Sequence, residues 1–451
     1  MQKLPDKFLF SLQNILSPQE LDLFLGSFQV NPPTSIRFNP HKKIRYASPT
    51  KSVAWASQGV YLEQRPSFTE DPLFWAGAYY VQEASSMFLE QVVKKILGEK
   101  KNIKVLDLSA APGGKSTHLL SLLPESSLLV ANEIIKSRAD ILEENLNRWG
   151  NGNYLVTQSD AQVLGRLSGF FDIILVDAPC SGEGMFRKDP KSIEEWSEES
   201  VNLCSIRQKR ILSDILPALS PNGYLIYSTC TYNTQENEEN LSWLRAQEDL
   251  TSIKITTDSS WGVREVSENQ LYAYRFFPHL LEGEGFFMAC FQKKLWGNPK
   301  EIKTQKNIFT KISKKQKEIL EQWLDLPNSY DFYSFKERIF ALRENFIPWI
   351  NTIALQAYIK HTALYLGSFK QNDFIPSQAL AHSTWVSERI PRWELSYEQA
   401  MQYLRKQNFS AENISEKGWH LVTYQSLGLG WAKILPNRIN NYYPTEWRVR
   451  K

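Results

Sequence analysis

Two cysteines, each just after a predicted buried strand, are the residues of this sequence best suited to covalent chemistry. VDAPCSGEG (176–184) places Cys180 after a proline turn, and YLIYSTCTYN (224–233) places Cys230 at the end of another strand. A thiolate is a strong nucleophile, although only a few per cent of a free thiol is ionised near neutral pH. The residue types alone leave open which thiol attacks and what the other one does.

The elements that must position these thiols alternate between short apolar strands and amphipathic helices. We predict helices over 115–123, 136–149 and about 198–216, and strands over 103–109, 128–133, 154–158, 171–178 and 223–229. This alternation predicts a parallel, doubly wound sheet. The pattern then changes, and EGEGFFMACFQKK (282–294) is predicted to be the closing antiparallel edge strand.

Acidic residues mark four successive strand ends of this predicted sheet: Asp107, Glu133, Asp160 and Asp177. The carboxyl ends of parallel strands share one edge, where open α/β sheets bind their ligands. Glu133 lies twenty residues after Gly113, where doubly wound folds place an acid on the ribose hydroxyls. The pattern therefore predicts a crevice for a ligand with several hydrogen-bond donors.

A glycine turn, LDLSAAPGGKST (106–117), follows the first of these strands and opens a helix, where backbone N–H groups can hold an anion. GGKST resembles the end of a P-loop. The first glycine of that motif would fall at Ser109, however, and Pro112 would remove one N–H from the cradle. A nucleoside cofactor without a large phosphate is the other interpretation, and we favour it over an NTPase.

The DAPC tetrad (177–180) indicates which class of reaction to expect. Methyltransferases that act on exocyclic amines carry a tetrad of the type [ND]PP[YF], and this chain has Cys180 where the aromatic residue belongs. A thiol there indicates covalent chemistry on a ring carbon. Carbon 5 of a pyrimidine is a poor nucleophile until a thiolate adds to carbon 6, which splits one difficult step into easier ones.

With these motifs, the chain resembles the Sun-type RNA 5-methylcytosine methyltransferases, and among them the bacterial RsmF-like ribosomal RNA enzymes, over nearly its whole length. The motifs that carry the resemblance are SIRFNPHK (35–42), YYVQEASSM (79–87), LDLSAAPGGKST (106–117), ANEIIKSR (131–138), DAPCSGEGMFRKDP (177–190), YSTCTYNTQENE (227–238) and RFFPHLLEGEGFFMACF (275–291). Together they are far more specific than a glycine loop alone.

The resemblance implies S-adenosylmethionine as cofactor and no metal. It assigns the cofactor loop to Ser109, Ala110, Ala111, Pro112, Gly113, Gly114 and Lys115. Glu133 is implied to hold the ribose with Arg138 nearby, Asp160 to face the adenine, and Asp177 to lie at the junction with the target base. The family usually has cysteine at the position of Ser109, where only the backbone is needed.

The resemblance also assigns the two thiols. Cys230, in the TCTYN motif, is implied to be the nucleophile, and Cys180 is implied to assist product release after methyl transfer. Asp177 belongs to the same catalytic set, and Lys188 in RKDP is included as a positive charge near the base or the backbone. Cys204 and Cys290 are predicted to be buried apolar side chains. His279 could contact the substrate or have a structural role, and it is left out of the catalytic set.

We predict four regions: an α+β RNA-binding region over 1–75, a Rossmann-like catalytic domain over 76–295, a basic linker and helical region over 296–382, and a PUA-like β-barrel over 383–451. In the barrel, GLGWAKILPNRINNYYP could contact RNA or form ordinary core. The four cysteines lack CxxC spacing, which argues against structural zinc, and no apolar run suits a membrane span.

The charge distribution predicts an RNA partner more clearly than the net charge of +3 does. Nine lysines lie between Lys293 and Lys317, and with Arg37, Lys42 and the basic tail they are predicted to form a track for the phosphate backbone. We predict a cytoplasmic, monomeric enzyme that methylates carbon 5 of a cytosine in 16S ribosomal RNA of the small subunit. The alternatives are the same chemistry on transfer RNA or 23S ribosomal RNA, and a non-catalytic RNA-binding assembly factor.

Overall fold

Helices and a four-stranded antiparallel sheet of order β2–β3–β1–β4 form the N-terminal unit. The computed structural model describes residues 3–46, 50–247, 249–294, 307–407 and 416–450. Ser17 caps the second helix, because its side chain accepts from the Glu20 N–H while Pro18 opens the first turn. The elements are α1 (Asp6–Leu12), α2 (Pro18–Ser27), β1 (Thr34–Phe38), β2 (Thr50–Ser52), β3 (Gly59–Leu62), α3 (Pro72–Trp75) and β4 (Tyr79–Val81).

A larger α/β unit follows and holds the predicted parallel sheet. Gly150 ends the helix predicted over 136–149 with a φ of 82°, in the left-handed region that favours glycine. The elements are α4 (Leu89–Leu97), β5 (Lys104–Asp107), α5 (Gly114–Leu122), β6 (Leu128–Asn132), α6 (Lys136–Trp149), β7 (Tyr154–Thr157), α7 (Ala161–Gly165), β8 (Phe171–Asp177), α8 (Pro190–Glu195), α9 (Glu198–Ile215), β9 (Leu219–Thr229), α10 (Glu238–Gln247), β10 (Leu250–Ser252), β11 (Arg264–Glu268), β12 (Leu271–Phe276) and β13 (Phe286–Lys293).

The sheet of this unit runs in the order β11–β12–β13–β9–β8–β5–β6–β7, and its strands from β9 to β7 are parallel. Alternate residues of β5 enter two different apolar clusters, Leu106 on one face and Val105 on the other. Both faces are therefore buried, as a doubly wound sheet requires. The predicted fold class is confirmed. The prediction that β13 closes the sheet is wrong, because β12 and β11 continue it as a hairpin.

The third unit covers residues 307–382. The sequence predicted a linker and helices over 296–382, and a five-stranded sheet of order β14–β15–β16–β18–β19 is present there as well. Residues 295–306, with part of the lysine run, lie outside the described residues. The elements are β14 (Thr310–Lys311), α11 (Lys314–Trp323), β15 (Tyr330–Phe335), β16 (Arg338–Arg343), α12 (Phe346–Ala354), β17 (Ile359–Thr362), β18 (Leu364–Lys370), β19 (Asp373–Pro376) and α13 (Gln378–His382).

One strand of the third unit belongs to the catalytic sheet. β17 pairs antiparallel with β7, with Ile359 opposite Thr157, and so covers the edge that β7 would otherwise expose. A sheet edge presents unpaired N–H and C=O groups, which proteins commonly cover. The third unit is thus built into the catalytic sheet.

The C-terminal unit is a four-stranded sheet of order β20–β21–β22–β23. Trp431, within the GLGWAKIL stretch, is 1% exposed and donates from Nε1 to the Ser377 carbonyl at 2.7 Å, so this part of the stretch is core. The described residues include no helix with the length and apolar character of a membrane span. The elements are β20 (Arg392–Glu394), α14 (Tyr397–Leu404), β21 (Gly418–Tyr424), β22 (Leu427–Leu435) and β23 (Arg438–Asn441).

Two basic residues of the predicted phosphate track, Arg37 and Lys42, are buried and bind the catalytic unit. Arg37 is fully buried and donates from Nη2 to Thr117 Oγ1 at 2.6 Å, and burial lowers its pKa to about 9. Lys42 donates from Nζ to the carbonyls of Ala76 at 2.7 Å and Arg148 at 2.8 Å, and burial lowers its pKa to about 7. The prediction that these two side chains contact phosphate is wrong, because both charged groups are buried and already hydrogen-bonded to other residues of the chain.

Candidate active site

The two thiols meet at the carboxyl edge of the sheet. β8 and β9 are parallel neighbours in which Asp177 lies opposite Ser228, so the turns that follow them start side by side. Cys180 Sγ lies 3.1 Å from Cys230 Sγ, and the backbone N–H of Cys230 points to Cys180 Sγ at 3.3 Å. Both cysteines are free. The topology alone therefore brings together residues separated by fifty positions in the chain.

The surroundings of Cys180 favour its protonated form. The hydrogen bond with Cys230 raises the pKa of Cys180 well above its ordinary value, and burial and the negative charges of Cys230 and Glu236 act in the same direction. Two thiolates this close would repel each other. Both effects favour the thiol form of Cys180, and the 3.1 Å contact is a hydrogen bond between the two sulfurs.

Lys115 adds a positive charge to the site. Its Nζ lies 2.8 Å from Asp177 Oδ2, while Ser228 Oγ donates to Asp177 Oδ1 at 2.7 Å. Burial acts to lower the pKa of Lys115, but attraction to Asp177 and to Cys230 outweighs it, and the pKa is raised. The charged form of Lys115 is therefore favoured, and a positive charge near a cysteine stabilises the thiolate.

Glu183 fixes the turns that carry the two thiols. Its Oε2 accepts from Thr231 Oγ1 at 2.6 Å and from the backbone N–H groups of Tyr232 and Asn233 at 2.8 and 2.9 Å. Its Oε1 accepts from Asn233 Nδ2 and from Trp196 Nε1, both at 3.0 Å. Glu183 is 1% exposed, and these bonds satisfy a buried carboxylate while joining the GEG and TCTYN segments.

Two further residues that were not predicted complete this frame. Glu236 accepts from the Ser181 N–H at 3.1 Å and from Gln208 Nε2 at 2.6 Å. Gly184 donates its N–H to the Cys230 carbonyl at 2.9 Å, and a Cβ there would lie only 2.2 Å from the Gly285 carbonyl oxygen. The signal in the sequence was that Glu183 and Glu236 are acidic, while the DAPCSGEG and TCTYNTQENE motifs around them are mostly small and polar.

The glycine loop turns into α5 at Gly113, whose φ of 115° suits glycine. Side chains from α6 hold the loop from outside: Arg138 Nη2 donates to the Ala111 carbonyl at 2.9 Å and Asn145 Nδ2 to the Pro112 carbonyl at 2.8 Å. The loop is therefore fixed in shape by the helix that follows β6.

A cavity of about 310 Å³ lies beside this loop, at the ends of β5, β6 and β7. Glu133 Oε1 accepts from the Ile135 N–H at 3.0 Å, whereas Glu133 Oε2 is buried with no hydrogen-bond donor among the described residues. That oxygen can accept from a ligand hydroxyl, so the site fits a ribose. The lining includes the predicted Ser109, Glu133, Arg138 and Asp160, together with Leu108, Ser159, Pro179 and Arg210.

The comparisons with known proteins decide the family. Residues 94–292 match the profile described as 16S rRNA methyltransferase RsmB/F, residues 4–84 match the N-terminal domain of 16S rRNA methyltransferase RsmF, and residues 391–449 match the methyltransferase RsmF PUA domain. Ribosomal RNA small subunit methyltransferase F of Vibrio atlanticus is 30% identical over 468 residues, which cover 98% of this chain and 97% of that protein. The chain belongs to the RsmB/F methyltransferase family.

Other relatives agree with this RsmB/F assignment. The enzyme of the same name from Cronobacter sakazakii is 28% identical over 98% of this chain and 96% of that protein. The crystal structure of a methyltransferase homologue protein from Pyrococcus horikoshii is 28% identical, with a TM-score of 0.51 over 64% of this chain and all of that one. Family membership excludes the NTPase alternative.

A third comparison concerns the cofactor that the sequence predicted. NSun6 from Pyrococcus horikoshii, solved with the S-adenosylmethionine analogue SFG, shares the fold with a TM-score of 0.54 and 20% identity, over 64% of this chain and 98% of that one. S-adenosylmethionine is the methyl donor of the RsmB/F family. The polar groups around the cavity suit this cofactor, because Glu133 Oε2 accepts no hydrogen bond within the described part of the chain and lies 3.6 Å from Arg138 Nη1.

Lys188 lies apart from this RsmB/F thiol site. It lines a cavity of about 810 Å³ with Thr34, Arg65 and Arg187, between the N-terminal unit and the loop after β8. Arg187 is engaged there, since its Nη1 lies 3.4 Å from Glu284 Oε1. The role of Lys188 therefore stays a prediction.

The other two cysteines and His279 differ in burial. Cys290 in β13 is fully buried, as predicted. Cys204 on α9 is half-buried, so the prediction of a buried side chain is wrong at that position. His279 packs against Phe24 and Phe277, with ring centroids 5.9 and 5.6 Å away, and lies outside the thiol pair.

Proposed function

We propose that this RsmB/F enzyme methylates carbon 5 of a cytosine in 16S ribosomal RNA of the small subunit, through a covalent bond between Cys230 Sγ and carbon 6 of the base. The observation that carries the proposal is the 3.1 Å contact between Cys180 Sγ and Cys230 Sγ beside the Lys115 ammonium. The raised pKa of Cys180 and the attraction between Cys230 and the Lys115 ammonium support different tasks for the two cysteines.

In the first step, the Cys230 thiolate adds to carbon 6 of the base. Lys115 stabilises this thiolate, and Asp177, which lies 2.8 Å from Lys115, offers acceptor oxygens for the exocyclic amine of cytosine. Electron density moves to carbon 5, which then takes the methyl group that S-adenosylmethionine supplies when bound. Glu133, Arg138 and the loop from Ser109 to Lys115 would hold that cofactor, with Asp160 at its adenine end.

Release requires the carbon 5 proton to leave and the bond between carbon 6 and Cys230 to break. Once Cys230 is a thioether, it neither accepts the Cys180 hydrogen bond in the same way nor carries the negative charge that raised the pKa of Cys180. The pKa of Cys180 then falls, and its S–H proton is released to water. The Cys180 thiolate takes the carbon 5 proton, the double bond between carbons 5 and 6 re-forms, and Cys230 leaves as a thiolate. Formation of the adduct thus prepares the residue that ends it.

The regions outside the catalytic unit complete the proposal. We assign RNA binding to the N-terminal region 1–75 and to the PUA-like region 383–451, with 76–295 as the catalytic domain and 296–382 joining them. Lys188 would place its charge near the RNA backbone, and its position beside Arg65 in an open cavity supports this. We further propose that the enzyme acts as a monomer in the cytoplasm, where ribosomal subunits are assembled.

Bisulfite mapping of RNA tests the substrate. Total RNA from cells with and without the gene is compared, and the purified enzyme is supplied with naked 16S RNA, small subunits, 23S RNA or transfer RNA. We expect one or more cytosines of 16S RNA to lose methylation without the gene and to regain it with the enzyme. Methylation confined to transfer RNA or 23S RNA would reassign the substrate. Tight RNA binding without methylation of any of these RNAs would favour an assembly factor.

A further inference from the structure

We propose that the third unit carries a second RNA contact, which binds a nucleotide away from the target cytosine by stacking on Tyr358 and by neutralising its phosphate with Lys336 and Arg338. This inference rests on the proposed function. A cavity of about 290 Å³ opens between the β15–β16 hairpin and β17. It is lined by Phe335, Lys336, Arg338, Phe340, Tyr358, Ile359, Lys360, His361 and Thr362.

The charge of this cavity is one-sided, since no acidic residue is among the described residues that line it. Lys336 and Arg338 are exposed, each lies over an aromatic ring at 5.1 and 5.4 Å, and neither has an acidic partner within ion-pairing distance in the described part of the chain. Lys360 is already paired with Asp140 at 2.5 Å. Glu337 is exposed at the turn but does not line the cavity. Lys336 and Arg338 thus remain free to contact phosphates.

Tyr358 supplies an aromatic surface on a fixed backbone. Its side chain is 62% exposed, although a large aromatic side chain is normally buried. Its backbone is held from the catalytic unit, because the Tyr358 N–H donates to Ser159 Oγ at 3.1 Å and its carbonyl accepts from the Gln158 N–H at 3.1 Å. A rigid, exposed ring next to free cations is the arrangement on which unpaired RNA bases stack.

The position of Tyr358 relates this contact to the thiol site. Tyr358 immediately precedes β17, whose first residue Ile359 pairs with Thr157 at the carboxyl end of β7. Tyr358 therefore lies near the carboxyl ends of the parallel strands, as Cys230 does. The strand order from β9 to β17 separates them by five strand spacings, or about 24 Å at 4.8 Å per strand. A single strand of RNA that enters the thiol site can span this edge.

The test compares variants of the full-length protein for binding of a short, fluorescein-labelled single-stranded RNA by fluorescence anisotropy. We expect Tyr358→Ala to weaken binding about tenfold, as for other stacking aromatics. The double variant Lys336→Ala with Arg338→Ala should make the dependence of log K on log salt shallower by about 1.4, or about 0.7 for each phosphate of a single strand that is no longer neutralised. Unfolding temperature and S-adenosylmethionine binding should stay unchanged, because these side chains are exposed.

Matched controls are Glu337→Ala at the same hairpin turn and Leu203→Ala, an apolar side chain 55% exposed on α9 in the catalytic unit. Neither should weaken RNA binding. If both test variants keep the wild-type affinity and salt slope, the inference is overturned. It is also overturned if the variants bind assembled small subunits more weakly but bind RNA as the wild type does, because the partner of this surface would then be a ribosomal protein. If the wild-type enzyme methylates 16S RNA and the variants fail to weaken RNA binding, this inference fails while the proposed function stands.

Discussion

Cys180 Sγ lies 3.1 Å from Cys230 Sγ, although the two residues come from turns after different strands. At that distance Cys230 raises the pKa of the Cys180 thiol, through the hydrogen bond between the two sulfurs and through its charge. In the proposed mechanism, the adduct between Cys230 and the base would change this relationship, since a thioether would leave Cys180 without its charged neighbour. On the proposed mechanism, this one contact determines which cysteine attacks and which assists release.

The Cys230→Ala and Cys180→Ala variants should give opposite results on a denaturing gel with labelled 16S RNA. Cys230→Ala should abolish both methylation and any protein–RNA adduct, because the attacking sulfur is gone. Cys180→Ala should accumulate an adduct that survives denaturation, because release of the carbon 5 proton is slowed. Cys204→Ala, on α9, is the control and should methylate like the wild type. An adduct with Cys230→Ala and none with Cys180→Ala would reverse the roles.

Replacement of Lys115 by methionine should lower the methylation rate about 100-fold, a typical effect of removing one group that stabilises developing charge. Without the ammonium the thiolate of Cys230 is less favoured, so the rise of the rate with pH should move to higher pH. Rates of single turnover at several pH values, with saturating S-adenosylmethionine, measure both effects. Lys115→Arg should recover part of the rate. A pH profile unchanged in Lys115→Met would show that this charge does not act on the thiol.

Glu183→Gln should destabilise the protein by about 2 kcal/mol, because the amide cannot accept all of the bonds that the buried carboxylate accepts. Urea unfolding measures this change. The methylation rate should fall as well, since the two turns that carry the thiols lose their common anchor. Glu199→Gln on the exposed face of α9 is the matched control and should leave stability within about 0.5 kcal/mol. Equal stability of the two variants would contradict the anchoring role.

Ser159→Ala should weaken S-adenosylmethionine binding about fivefold, the equivalent of one ordinary hydrogen bond. Ser159 Oγ accepts from the Tyr358 N–H, and both Ser159 and the adjacent Asp160 line the cavity beside Glu133 in which we propose that the cofactor binds. Calorimetry without RNA measures the affinity, and hydrogen exchange at the Gln158 amide should become faster. Arg343→Ala removes another contact between the same units, with Glu125 at 3.0 Å, and should leave cofactor binding unchanged. Equally weakened binding in both variants would indicate a general loosening.

The parts predicted best are those that depend on local patterns. The helix over 136–149 was predicted to the residue, because its apolar face and Gly150 mark it in the sequence. The strand ends that carry Asp107, Glu133, Asp160 and Asp177 follow from the alternation of strands and helices. The cavity beside Glu133 then follows from topology, because parallel strands end at one edge.

The parts that were missed depend on contacts across the chain. Arg37 and Lys42 are basic residues near the amino terminus, and nothing local shows that Thr117 and Arg148 enclose them. The β15–β16 hairpin turns at Lys336 and Glu337, which adopt positive φ without the glycine or asparagine that usually marks such a turn. Glu183 is acidic and would be expected outside, and only its five donors explain its burial.

The pairing of β17 with β7 has a consequence for the use of the catalytic unit alone. A fragment that ends near residue 294 would leave β7 as a bare edge with its N–H and C=O groups unpaired, ready to pair with another copy. Such a fragment should aggregate or oligomerise even though every residue of its thiol site is present. The catalytic sheet is thus completed by β17, a strand that begins more than 60 residues after β13, the last strand of the catalytic unit.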